Sequence, residues 1–344
     1  MMFLLTYALE INMKWCWFCL LVSLMGCGVA PASIKVATYN IYWLDSEISN
    51  ERRDRLQQVI RELDADIIGF QEIQSRAALA NILPEDYEIG ILDDEEELLE
   101  LAIAVKRPLT IASLEMVFPD EIYDDAFPRK RDLLEARVEG VGQSLHVFVH
   151  HAKSRRGGRV ETDERRVMAS KMMMQFLTSR VEKDRVILLG DFNDNPDDQS
   201  LNILEYGITN MDGGIDKNPD TFLYNVTESL LENDYCSYGY NYLYDELKEP
   251  TFDPVVEGAR EENNKWRGRK HDFFKDVKVK AILFDQILVS QNLKDHVVDR
   301  GVFTGASAVV GMRSRIRFKG DNLSYTTRGS FASDHVPVWA LLKF

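Results

Sequence analysis

Six short apolar runs constrain what this chain can fold into more than any other feature. Each is β-branched or aromatic and is bounded by a polar residue suited to metal or phosphate chemistry: Ile34 to Asn40, Asp66 to Glu72, Leu145 to His151, Val186 to Asp191, Ala281 to Ser290 and His335 to Leu342. Runs of this length without helical spacing predict buried strands, with their polar ends gathered at one rim of a sheet. Between the first two, Leu56, Val59, Ile60 and Leu63 recur at helical spacing, and Asn50 is placed to cap the helix. A second helix is expected from Thr162, as its cap, to about Val181, with Met172, Met173 and Met174 as core filler. Strands interleaved with helices early and strand pairs later predict an α/β sandwich of two sheets covered by helices.

The 344 residues suffice for one large domain. A net charge of -15 argues against a protein that grips nucleic acid through a broad cationic surface, yet an enzyme needs only a local positive site and a metal ion. The stretch at about 211–280, with a Tyr-rich patch at 235–244, is expected to be a loop insertion over one end of the sandwich.

Met13-Lys14 precedes an apolar run from Trp15 to Met25 that is too short to span a membrane. Residues 1–26 are therefore expected to be a signal peptide, with Met13 a candidate for the true start. Leu24-Met25-Gly26-Cys27 resembles the lipobox of bacterial lipoproteins. Cys27 would then carry lipid, residues 27–33 would form a short tether, and 34–344 the catalytic domain. Cys16 and Cys19 would leave with the signal, so Cys236 would stand alone and no internal disulfide would be available.

Val186-Ile-Leu-Leu-Gly-Asp-Phe-Asn-Asp194 delivers Asp191 and Asn193 from a strand, and alternate residues of an extended segment point the same way. A carboxylate and an amide so placed can orient water and hold a phosphate oxygen. A simple turn of Gly, Asp and Asn is the competing reading. Ser333-Asp334-His335 offers a metal ligand beside a base or phosphate contact; a strand-capping Asp beside a surface His competes with it. A zinc site on the pair His150 and His151 is disfavoured because no Cys cluster or helical His spacing accompanies it.

Taken together, Ala37-Thr-Tyr-Asn40, Gly69-Phe-Gln-Glu72, His150-His151-Ala152-Lys153-Ser154, Gly190 to Asn193, Asp285 to Ser290 and Ser333 to His335 resemble, in order, the motifs of the endonuclease/exonuclease/phosphatase family. The resemblance implies a four-layer α-β-β-α sandwich of two mixed sheets flanked by helices, and a divalent-metal-dependent phosphoesterase. It implies Glu72 as principal ligand of Mg2+ or Mn2+, helped by Asn40 and Asp334. His335 held by Asp285 would serve as base or phosphate contact, Asp191 would orient or deprotonate water, and His151 and Asn193 would cradle the phosphate or protonate the leaving oxygen. His150 stands where the family commonly has Asn, which leaves two registers for the catalytic His. Lys153, Arg155, Arg156 and Arg159 could hold flanking phosphates or simply be solvated, and Arg129-Lys130-Arg131 reads as surface.

The expected protein is an exported monomer tethered at Cys27 to a bacterial membrane, on its periplasmic or cell-surface face, without a protein partner. DNA or RNA is the first expected substrate. A phospholipid or inositol phosphate at the same site is the second, and a non-catalytic binding protein the third.

Overall fold

Two β-α-β units, one in each of two sheets, set the architecture of the computed structural model. It describes residues 33–93, 99–128, 131–155, 159–214, 218–232, 235, 237–238, 283–303, 305, 316–319, 322–325 and 332–344. In the first unit β1 (Ser33–Leu44) and β2 (Ile67–Ile73) are parallel and joined by α1 (Asn50–Leu63). A short helix, α2 (Arg76–Ala80), follows, then β3 (Tyr87–Ile91) and β4 (Glu100–Lys106) of the same sheet. The other sheet opens with β5 (Thr110–Met116) and β6 (Leu133–Glu139) and holds the second parallel pair, β7 (Leu145–His151) and β8 (Arg185–Asp191), joined by α3 (Arg159–Leu177).

Further along lie α4 (Gln199–Tyr206), β9 (Leu223–Asn225), α5 (Glu228–Glu232), β10 (Asp285–Ser290), α6 (Gln291–Lys294), β11 (Val297–Val302), the hairpin β12 (Ile316–Lys319) and β13 (Asn322–Tyr325), and β14 (Val338–Lys343). The strand orders are β11-β14-β1-β2-β4-β3 and β5-β6-β7-β8-β10-β9. Each parallel pair is flanked by antiparallel strands, so both sheets are mixed and the expected two-sheet sandwich is realised.

Burial explains the layers. Val36, Ile67, Val147, Val149, Ile187, Leu189, Ile287 and Val289 belong to one core, which also takes in Leu56, Val59, Ile60 and Leu63 of α1. A second core joins Phe148, Leu188 and Leu288 of the other sheet face to Met173 and Leu177 of α3 and Leu201 and Leu204 of α4. The sheets approach closely at Gly69, where a Cβ would lie 2.2 Å from Leu189 Cδ1. Burying this much aliphatic surface drives the packing, at about 25 cal/mol per Å².

Some boundaries differ from expectation. Ser49, not Asn50, caps α1, its hydroxyl accepting from Arg52 N at 3.2 Å. Helix α3 begins three residues before Thr162, whose hydroxyl instead accepts from Arg166 Nη1 at 2.8 Å. Part of the expected insertion is regular: β9 pairs with β10 at the sheet edge, and α5 follows it. Residues 1–32, which include the signal segment and Cys27, lie outside the described residues, as do 239–282.

Candidate active site

Opposite strand directions assemble the site. β1, β2, β7 and β8 all end at one rim, while the antiparallel β10 and β14 start there. Asn40, Glu72, His151 and Asp191 thus arrive from strand ends, Asp285 opens β10 directly across from Asp191, and Asp334 and His335 sit just before β14. His335 was expected inside that strand. Instead it forms an isolated bridge with Tyr238, and Pro337 separates it from the strand.

Parity decides which side chains face inward. Val147 and Val149 of β7, with Ile187 and Leu189 of β8, share the core packed against the first sheet, and His151 and Asp191 continue that face. His150 continues the opposite face with Phe148, its ring edge-on to Phe127 and Phe192 at 5.7 and 5.1 Å. Desolvation pushes its pKa down to about 3. His150 therefore packs in the core, and of the two registers left open by the sequence only the one with His151 faces Asp191.

Glu72 would face away from the site by parity, because the paired Asn40 and Gln71 share the inward face. It reaches the rim because its backbone is left-handed, with φ 64°, where the register of β2 shifts. Tyr42, Trp43 and Asn193 are likewise left-handed, at 53°, 49° and 52°. Such residues cost about 1–3 kcal/mol each and persist where packing over-determines them. Here the support is explicit. The buried Arg52 guanidinium donates to the carbonyls of Ile41, Tyr42, Trp43 and Ala332 at 2.6–3.4 Å. One helical arginine thereby ties the bulge after Asn40 to the segment carrying Asp334.

Asp191 is the hub. Its Oδ2 accepts from Asn40 Nδ2 at 3.0 Å and lies 3.6 Å from His151 Nε2 and 3.7 Å from His335 Nε2, while Oδ1 accepts from the Asn193 backbone N–H at 2.8 Å. Asn40 Nδ2 also reaches Glu72 Oε1 at 3.3 Å, and Trp43 N–H donates to Glu72 Oε2 at 3.1 Å. Desolvation raises the Asp191 pKa to about 7; His335 opposes this and Asp285 adds to it. Burial alone would lower His335, but Asp285 and Asp191 reverse the sign and raise it to about 10. Its Nδ1 donates to Asp285 Oδ2 at 2.8 Å. Desolvation and Asp334 raise Glu72, against Arg131, His335 and Asn40. His151 is held well below its usual range by desolvation, with the charges of Arg131, His150, His335 and Lys153 acting in the same sense.

The donor set suits a hard divalent ion: Asn40, Glu72 and Asp334 offer amide and carboxylate oxygens, and the raised Glu72 marks negative charge that a cation would relieve. Among the described residues no three His, Cys, Asp or Glu groups are placed to hold an ion by themselves.

The basic residues need correction. Arg155 does not reach toward flanking phosphates; it is buried, donating to Asn193 O at 2.7 Å, Asp194 Oδ1 at 2.9 Å and Asp198 Oδ2 at 2.7 Å, and so anchors the turn after Asp191. Lys153 is half-buried near His151. Arg156 and the side chain of Arg159 lie outside the described residues. Arg131, read as surface, approaches His151 Nδ1 to 2.8 Å. Ser237 and Tyr238, inside the patch at 235–244 read only as a loop insertion, also reach the site. Ser237 Oγ accepts from Phe284 N and Asp285 N at 3.1 and 3.2 Å, and the Tyr238 ring lies 4.8 Å from that of His335. No spacing signal marks these residues; only the fold brings them in.

A buried rim that places carboxylates, amides and imidazoles around one hub, on a two-sheet α/β scaffold, defines the class of hydrolases that cleave phosphoesters with activated water. The profile of the endonuclease/exonuclease/phosphatase family matches residues 37–335. The chain belongs to that family, whose named activities all break phosphoester bonds. Truncated TDP2 from Caenorhabditis elegans shares the fold, with TM-score 0.54 and 18% identity over 91% of this chain and 98% of that one. TDP2 from D. rerio complexed with single strand DNA product gives 0.51 and 16%, covering 91% and 100%. A mannosyl-6-phosphatase from Bacteroides thetaiotaomicron gives 0.53 and 16%, covering 90% and 100%. Comparison with curated proteins finds no match.

Proposed function

We propose that this chain is an exported, lipid-anchored phosphodiesterase that cleaves nucleic acid, using Mg2+ or Mn2+ held by Glu72 with Asn40 and Asp334. The observation that carries the reading is the approach of His151 Nε2 and His335 Nε2 to the same Asp191 oxygen, beside Glu72. When bound, the ion supplies positive charge to the phosphate and the leaving oxygen. Asp191 and Asn193 orient a water for in-line attack; its oxygen bonds to phosphorus, its proton passes to Asp191, and the opposite P–O ester bond breaks. The leaving oxygen takes its proton from solvent. His335, kept charged between Asp285 and Asp191, and His151 hydrogen-bond the non-bridging oxygens.

Nucleic acid is favoured because the related fold of D. rerio TDP2 was crystallised with a single strand DNA product. Support for export comes from the signal segment 1–26 and from Cys27 as the acylated first residue; the protein would then work as a monomer tethered to a bacterial membrane. A phospholipid or inositol phosphate is the second reading, favoured by the few residues between Cys27 and the start of β1 at Ser33.

Plasmid DNA, RNA, sphingomyelin vesicles, inositol phosphates and mannose 6-phosphate should be offered in turn with Mg2+ and with EDTA. Metal-dependent cutting of DNA or RNA is expected. Intact nucleic acid at high enzyme concentration, with any other ester hydrolysed, would move the site to that substrate. Palmitate labelling of the wild type but not of Cys27→Ser in a bacterial host checks the anchor.

A further inference from the structure

Arg131 lies just before β6, whose Leu133 pairs with His150 of β7, and its side chain reaches the next residue of that strand, His151. Its Nη1 is 2.8 Å from His151 Nδ1. A guanidinium carries five N–H groups, has no lone pair to offer and stays protonated. The bond therefore runs from arginine to histidine, and Nδ1 must supply the lone pair. In a neutral ring the single proton then sits on Nε2.

The other end of the ring agrees independently. Nε2 lies 3.6 Å from Asp191 Oδ2 and 4.0 Å from Glu72 Oε1, both acceptors. The opposite tautomer would set Nδ1–H against a guanidinium N–H and a lone pair against two carboxylates, which is repulsive at both ends.

We propose that Arg131 is a positioning residue that fixes the tautomer of His151, making this histidine a hydrogen-bond donor to a non-bridging phosphate oxygen and not the acid for the leaving group. A neutral Nε2–H gives up its proton only by becoming an anion. Taking a second proton at Nδ1 requires breaking the bond to Arg131. The donor role rests on the phosphoesterase reading above; the tautomer does not.

The tautomer is read by 15N NMR of the whole protein labelled at histidine. The chain has six histidines, and His151→Gln identifies the signals that belong to His151. The expected spectrum has an unprotonated Nδ1 and a protonated Nε2, retained in Arg131→Lys and reversed in Arg131→Glu. A protonated Nδ1 in the wild type, or no reversal in Arg131→Glu, overturns the proposal.

The role is read by leaving group. His151→Gln should slow bis(4-nitrophenyl) phosphate and a thymidine dinucleotide by the same factor, about 100-fold, as loss of one preorganised donor does. Slowing confined to the dinucleotide, whose alkoxide leaves poorly, would make His151 an acid and overturn the donor role. If the wild type cleaves neither ester, the phosphodiesterase reading fails, while the spectra still decide the tautomer.

Discussion

Asp191 and His335 are displaced from their ordinary pKa values in the same direction but with opposite consequences for charge. Raising Asp191 to about 7 delays its ionisation, and raising His335 to about 10 prolongs its charge. If Asp191 takes the proton of water and His335 must stay charged, kcat should climb as pH rises through the Asp191 pKa. It should fall again as pH approaches that of His335. A bound metal ion would lower the Asp191 limb. A kcat profile from pH 5 to 11 checks both limbs, and a base role for His335 would instead give rates that keep rising to high pH. His335→Gln and Asp191→Asn should each lose about 10²–10⁴-fold in kcat. Glu72 carries a stability consequence. Its folded pKa is raised above the unfolded value, so its ionisation weakens the fold as pH rises through the folded pKa. Where Glu72 is ionised in the metal-free protein, Glu72→Gln should raise the Tm, and it should erase the further rise expected of the wild type with Mg2+. The residues that could be read from sequence, such as Asn40, Glu72, Asp191 and His335, interrupt apolar runs. Arg131 lies in a basic triplet, and Arg155 in a Gly-bearing basic loop, that look like any solvated segment. Their partners are set by the strand beside them, so sequence could show neither the burial of Arg155 nor the contact of the half-buried Arg131 with His151.

Within the elements, backbone conformation does as much as side-chain chemistry. Gly190 has φ 151°, and a Cβ there would fall 1.9 Å from the carbonyl oxygen of His150. Gly190→Ala must push β8 away from β7 just before Asp191. It should cut kcat by about 100-fold, the scale expected for a misplacement near 1 Å, and lower the Tm. Parallel kinetics and thermal melts would show whether both losses appear. Arg52→Met tests α1 in the same way. Four carbonyls lose a donor, so stability should fall by about 3 kcal/mol in urea melts, with activity falling with it. Helix α1 was legible because Leu56, Val59, Ile60 and Leu63 repeat cleanly. Its active-site duty was not, because a buried arginine whose guanidinium reaches carbonyls outside its own helix leaves no periodic trace. The inward turn of Glu72 was hidden for a related reason: strand parity assigns that face to Gln71, and only the left-handed backbone overrules it.

At the scale of the molecule, the sandwich could be read from runs that start or end at polar residues. The course of 211–280 could not, since β9 is three residues long and its partner β10 lies about sixty residues further on. The two sheets divide the chemistry. One brings Asn40, Glu72, Asp334 and His335, and the other brings His151, Asp191, Asn193 and Asp285. Among the described residues, side-chain hydrogen bonds cross between them at the rim from Asn40 to Asp191 at 3.0 Å and from His335 to Asp285 at 2.8 Å. Aliphatic contacts between sheets are non-directional, whereas hydrogen bonds of this length tolerate little displacement before they weaken. Turnover should therefore vanish at a lower urea concentration than the loss of far-UV circular dichroism. Coincident curves would mean that the sheets part only on global unfolding. If activity is lost first, catalysis is a gauge of alignment between two layers, reporting a misplacement that no secondary-structure signal registers.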